Sequence, residues 1–240
     1  MQKMNFSIIL NTRKRPMYLD SAINSLIDNA KNPDEIDFLV RYDNDDLETK
    51  AYVDSYPFDD KAFMRVKFWS GPRPTNLHKE LNFLAKISFG KYIFVFNDDC
   101  IMETKYWDEI AFSKLENSFE DGVVCGQTFD TSADKPKGAE YSSFPIISRK
   151  AFEALGYFMK EEFVGLGGDS SIYRIYKEVD RIVNLKEIVI DHIFHNTIEK
   201  VMAPDETAQQ MRENSWRHSA DPFAVDISKD LDKLKSSLYN

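Results

Sequence analysis

Asn97, Asp98 and Asp99 follow directly on residues 92–96, Tyr-Ile-Phe-Val-Phe. The apolar run is β-branched and aromatic, the composition of a fully buried strand. Three oxygen-bearing side chains at the end of such a strand suit a hard divalent cation, Mg2+ or Mn2+, which in turn can hold a diphosphate. In an open α/β sheet, ligands sit at these carboxyl ends of strands. A plainer reading is open for the same triplet: an acidic turn that caps the next helix.

The elements that must position these residues alternate. Residues 6–10 read as a first strand, followed by a loop over 11–15 and a helix opened by Pro16, with Leu19, Ile23, Leu26 and Ile27 on one face. A second strand over 38–42 ends in Asp43, Asn44, Asp45 and Asp46. The pattern then predicts a helix over 47–55, a strand over 66–69 and a helix carrying Leu77, Leu81 and Leu84. The strand 92–96 is followed by a helix over 105–117 and a strand over 123–127. Past Phe129 the polar stretch 131–141, with Pro136 and Gly138, reads as a loop or lid. A short strand over 144–147, a helix over 150–155, a helix from Ser170 to Glu178 and a strand over 188–190 complete the order. This alternation predicts an α/β fold with a mostly parallel central sheet and helices on both faces. Ile227, Leu231, Leu234 and Leu238 mark an amphipathic helix, so residues 201–240 read as a C-terminal helical appendage.

Composition narrows the function classes. A net charge of −9 counts against a non-specific nucleic-acid binder, which needs a basic face to displace counterions. The apolar run 6–10 is too short for the core of a signal peptide, and no run has the length of a membrane span. The expectation is a cytoplasmic enzyme. Cys100 and Cys125 read as reduced buried thiols, and without a Cys-x-x-Cys pair no zinc site is expected on them.

Five pieces in order give the chain a family likeness. They are Asn11-Thr12-Arg13-Lys14-Arg15 after the first strand, Val40-Arg41-Tyr42-Asp43 at the second, and Asn82 with Gly90, Tyr92-Ile93 and Asn97-Asp98-Asp99. Gly167-Gly168-Asp169 with Arg174 is the fourth, and a histidine at 192 or 195 the fifth. Over residues 5–195 the chain resembles a nucleotide-sugar-dependent glycosyltransferase of the GT-A fold, family 2-type. The resemblance implies a GT-A domain over 1–200, its donor half at 1–128 and its acceptor half at 129–200.

It also implies roles. Asp99 is then the main ligand of Mn2+ or Mg2+, a Lewis acid for the diphosphate leaving group. Asn97 and Asp98 touch the ribose or reach the metal through water, and Thr12, Arg13 and Asp43 cradle base and ribose, with Arg15 and Asn82 in the same donor-binding set. Asp43 has a second reading as the cap of the helix that follows. Asp169, after three glycines in four residues, is the candidate general base for the acceptor hydroxyl, and it also suits a helix N-cap. His192, with His195 as its substitute, either completes the metal shell, which favours Mn2+ over Mg2+, or is structural. Two positions depart from the family pattern: Asn97 replaces the first Asp of the acidic motif, and Gly168 stands where a Glu is usual.

The reading is a metal-dependent, inverting transferase moving a sugar from a nucleoside-diphosphate sugar, UDP before GDP, to a carbohydrate or other hydroxyl acceptor. A nucleotidyltransferase would need a glycine-rich loop after the first strand, and residues 11–16 contain no glycine. A non-catalytic binding module of the same fold is the third class, kept open by Asn97 and Gly168.

Overall fold

Strands alternate between two buried faces from their first residues. In Phe6–Thr12 (β1), Ile8 and Leu10 enter one core cluster and Ile9 the other. In Ile36–Asp43 (β2), Phe38 and Val40 are divided from Leu39 in the same way, and in Tyr92–Val95 (β4) Phe94 is divided from Ile93 and Val95. A period of two with apolar residues on both faces requires layers above and below the sheet. The computed structural model describes residues 4–57, 65–131, 140–193 and 224–238.

The remaining elements are α1 (Pro16–Asp28), α2 (Leu47–Asp54), β3 (Val66–Gly71), α3 (Leu77–Ile87), β5 (Cys100–Met102), α4 (Trp107–Glu116), β6 (Cys125–Asp130), β7 (Pro145–Ser148), α5 (Arg149–Leu155), α6 (Gly168–Glu178), β8 (Ile182–His192) and α7 (Ser228–Leu238). The sheet has eight strands in the order β3-β2-β1-β4-β7-β6-β8-β5. β7 runs antiparallel to β4 and β6, and β5 antiparallel to β8, while the other pairings are parallel. The mostly parallel α/β expectation therefore holds. Helices α1 and α4 cover one face through Leu19, Ile23, Leu26, Trp107 and Leu115. The other face is covered by α3, α5, α6 and α7 through Leu84, Phe152, Ile172, Ile175 and Leu234.

Two differences from the sequence expectation shape the site. β5 was not expected, because three residues after a turn carry no periodicity. β8 begins at Ile182 rather than at 188, since Asn184, Lys186 and Glu187 interrupt its apolar pattern, and the register against β6 shifts between Thr128 and Phe129. Gly90 has no room for a side chain: a Cβ there would meet Ser7 N at 2.4 Å. This tight approach sets β4 beside β1, so both strands end at the same edge. The expected lid over 131–141 falls largely on residues 132–139, outside the described residues, as does His195.

Candidate active site

The end of β1 and the turn after it present Thr12, Arg13 and Arg15 at the carboxyl edge of the sheet. Lys14 has φ +54°, a left-handed conformation uncommon outside glycine, and its N–H is held by Asp46 Oδ2 at 2.6 Å. Pro16 then opens α1 with its φ preset for a helix, leaving Arg15 as the N-cap residue. Thr12 donates from Oγ1 to Asp98 Oδ2 at 2.7 Å, and Arg15 Nη1 lies 3.3 Å from both Asp98 Oδ1 and Asp99 Oδ2. Arg13 turns the other way, to Asp43 Oδ2 at 2.7 Å and to both oxygens of Asp45, at 2.5 and 3.0 Å.

Asp43 is buried between two arginines, Arg13 and Arg41. Arg41 also bonds Glu80 Oε2 at 3.0 Å and the Pro72 carbonyl, which fixes it between β2, α3 and the loop after β3. The capping alternative for Asp43 is corrected here. Asp46 caps α2, accepting from Thr49 N at 3.0 Å, because it is the residue immediately before the first helical turn.

The acidic motif occupies the turn between β4 and β5. Asn97 is exposed, whereas Asp98 and Asp99 are buried. Burial, and then the charge of Asp99, pushes the Asp98 carboxyl up, against Arg15 and Thr12, which pull it down. Cys100 pairs with His192 across the antiparallel β5–β8 ladder. That pairing brings His192 Nε2 within 3.3 Å of Asp99 Oδ1, with the Phe144 ring edge-on to the imidazole at 5.4 Å. One donor atom each from Asp99, Cys100 and His192 fall within 4.8 Å of one another, all three residues buried. Burial, followed by the charges of Asp99, Asp98 and Asp130, pushes the Cys100 thiol up. A carboxylate beside an imidazole is a donor pair that can hold a divalent cation, while a thiol held protonated contributes no thiolate ligand.

Gly167 takes φ +87° as the N-cap of α6, so the N-cap alternative for Asp169 is also corrected. Asp169 lies in the first helical turn, where its carboxylate is favoured by the helix dipole, and its Oδ1 accepts from Ser170 N at 2.8 Å. A Cβ on Gly168 would meet the buried His78 ring at 2.6 Å and Met159 Sδ at 3.0 Å. The His78 ring therefore leaves no room for a side chain at position 168.

Asn82, within α3, ties that helix to the segment before the glycine run. Its amide donates to the Met159 carbonyl at 2.8 Å and accepts from Phe158 N and Met159 N at 2.8 and 2.9 Å. That arrangement positions the loop and makes no bond to the acidic turn among those described. Arg174 likewise ties α6 to the Val225 carbonyl at 2.9 Å.

Sequence reasoning missed Arg41, Cys100, Asp130 and Tyr141. Asp130 ends β6 at the same sheet edge as Asp43 ends β2, a signal that was present in the strand pattern. It is buried and accepts from Ser143 N at 3.0 Å. Burial, then the charges of Asp169 and Asp130, pushes the Tyr141 hydroxyl up.

The sequence model of glycosyl transferase family 2 matches residues 7–178. The chain belongs to this family. It is a glycosyltransferase of the nucleotide-sugar type, and the matched span runs from β1 to the end of α6. No curated protein matches it. Among solved structures, TarS 1-349 of S. aureus is similar with a TM-score of 0.62 at 14% identity, over 98% of this chain and 72% of that one. The same protein in complex with UDP-GlcNAc is similar at 15% identity and the same TM-score and coverage. The mannosyltransferase PcManGT from Pyrobaculum calidifontis, in complex with GDP-Man and Mn2+, has a TM-score of 0.62 at 11% identity over 100% of this chain and 75% of that one. At these identities the likeness establishes the GT-A fold of the family 2-type enzymes. No helix among the described residues is long and apolar enough to cross a membrane.

Proposed function

We propose that the family 2 glycosyltransferase is metal-dependent and inverting, with a nucleoside-diphosphate sugar as donor and a hydroxyl group as acceptor. UDP is the first choice of nucleotide and GDP the second, the two carried by the similar structures. One observation supports the reading most: the buried Asp98–Asp99 pair meets basic and hydroxyl side chains from the turn after β1 and an imidazole from β8 at one sheet edge. The donor half is residues 1–128 and the acceptor half 129–200, with 201–240 as a helical extension.

Asp99 and His192 fit Mn2+ by donor chemistry, and a bound cation would supply Lewis-acid stabilisation of the diphosphate leaving group. Asp98 and exposed Asn97 border the ribose. Thr12 and Arg15 face the phosphates, and Arg13 with the arginine-clamped Asp43 faces the base and ribose. Arg41 acts through Asp43 by fixing its orientation. Asp169 removes the proton of the acceptor hydroxyl, a step that needs a base within hydrogen-bond reach. Tyr141 and Asp130 border the same side. Attack from the Asp169 side, opposite the diphosphate, inverts the anomeric centre.

Calorimetry of UDP with Mn2+ and with EDTA tests the donor and metal parts. Binding is expected to require the metal in the intact enzyme, and Asp99→Ala is expected to lose the metal-dependent part while keeping the fold. Equal UDP affinity in EDTA and in Mn2+ would remove the metal from the reading.

A further inference from the structure

Every carboxylate oxygen of the Asp98–Asp99 pair already faces a partner from this chain. Thr12 donates to Asp98 Oδ2, and His192 Nε2 and Cys100 Sγ approach Asp99 Oδ1 at 3.3 and 3.8 Å. The remaining oxygens, Asp98 Oδ1 and Asp99 Oδ2, both lie 3.3 Å from Arg15 Nη1. One guanidinium nitrogen thus stands between the two carboxylates, with the Arg15 side chain only 17% exposed. A positive charge there offsets the repulsion of two adjacent buried carboxylates. We propose that Arg15 is an internal counter-cation that competes with the divalent ion for the Asp98–Asp99 pair and is drawn off it by the donor diphosphate. The inference rests on the metal-dependent reading above and goes beyond it by assigning Arg15 two alternating partners.

The chemistry of the side chain suits both positions. A guanidinium presents a planar fork that bonds carboxylates and phosphates alike, and phosphate offers it more oxygens. Arg15 is anchored at the start of α1 by the left-handed Lys14 and by Pro16, so only the side chain has to move. A cation held by Asp99 and a guanidinium 3.3 Å from the same carboxylate would oppose each other by charge. Binding of diphosphate and of cation is then coupled through one side chain, and the coupling is reciprocal.

Binding of Mn2+ alone, followed by electron paramagnetic resonance of the free ion, tests the exchange. Arg15→Gln is expected to bind Mn2+ more tightly than the native enzyme by about tenfold, within the usual range for coupled sites. The same variant should bind UDP more weakly, and the tightening of Mn2+ by UDP should shrink. Arg15→Lys, which restores a positive charge, should bring Mn2+ affinity back toward the native value. An Arg15→Gln variant with unchanged or weaker Mn2+ binding overturns the proposal. Melting curves establish that the variants are folded. Should Arg15→Gln not fold, the Arg15 Nε–H resonance of the native enzyme serves instead: a shift on adding Mg2+ supports the exchange, and an unmoved resonance overturns it. The two readings separate in the native enzyme. Metal-dependent UDP binding with no change in Arg15→Gln removes the exchange alone, and UDP binding indifferent to metal removes both.

Discussion

Asp169 and Gly168 are neighbours with opposite requirements. Asp169 needs space for an acceptor hydroxyl, and Gly168 needs none, because the His78 ring fills the place of its side chain. Asp169→Asn keeps the shape and most hydrogen bonds but removes the basic oxygen. Turnover is expected to fall by about a hundredfold or more with donor affinity preserved, measured by steady-state kinetics beside UDP calorimetry. A product with the donor's own anomeric configuration by NMR, or unchanged turnover, would take the base role from Asp169. Gly168→Ala is expected to cost about 1–3 kcal/mol in urea unfolding, the usual penalty for overpacking. The same substitution in a His78→Ala background should cost less, since the clashing ring is gone. Equal costs in both backgrounds would show that His78 is not what excludes a side chain at 168.

His78 adds a pH dependence of its own. Burial holds its imidazole below the ordinary value of 6.5, so the unfolded chain takes up a proton before the folded one does. Its contribution to stability is therefore full above that value and is lost as pH falls below it toward the folded pKa. Urea midpoints from pH 7.5 to 5 should decline more steeply for the native enzyme than for His78→Gln. Parallel profiles would exclude a buried neutral imidazole.

Among the elements, α7 is held by more than its apolar stripe. Leu234 and Ile227 enter the core between α5 and α6, and Lys160 Nζ meets Asp230 Oδ2 at 2.5 Å, both side chains buried. Lys233 also bonds the Leu155 carbonyl at 3.0 Å. Lys160 lies in the segment that Asn82 and His78 hold, so the C-terminal helix buttresses the loop leading to Asp169. Removing one partner of a buried pair strands the other charge, so Asp230→Ala should cost about 3–5 kcal/mol. Replacing both, as Lys160→Met with Asp230→Leu, should cost less than the single change. Chemical denaturation of the three variants checks this, and a single change below about 1 kcal/mol, the level of an exposed pair, would contradict the burial argument.

For the whole molecule, the proposed site would draw on both ends of the sheet order. The proposed donor contacts come from β1 and β2 near one end, while His192 belongs to β8 near the other. Ligands that join these parts stabilise the folded state by mass action, by about 2.7 kcal/mol at a hundredfold excess over the dissociation constant. UDP with Mn2+ should therefore raise the melting temperature by several degrees, more than UDP with EDTA does. No difference between the two conditions would count against a metal-bridged donor site.

The amino-acid sequence by itself determined the layered α/β plan, because apolar residues with a period of two or of about 3.6 decide locally which faces are buried. It also placed Asp43, Asp98, Asp99 and Asp169 at element ends, where polar side chains follow an apolar run. What it left open were the partners of those residues. Asp43 and Asp46 stand in one acidic run, and only the packing of Arg13 and Arg41 shows which is clamped and which caps α2. Gly168 looked like a missing carboxylate, and only the fold shows the ring of His78, ninety residues earlier, standing in its place. The approach of His192 to Asp99 depended on β5, three residues too short to show a period, pairing with a strand about ninety positions away. Local periodicity sets which element forms, whereas contacts between distant elements arise only when the sheet closes, and the chemistry of this site lies in those contacts.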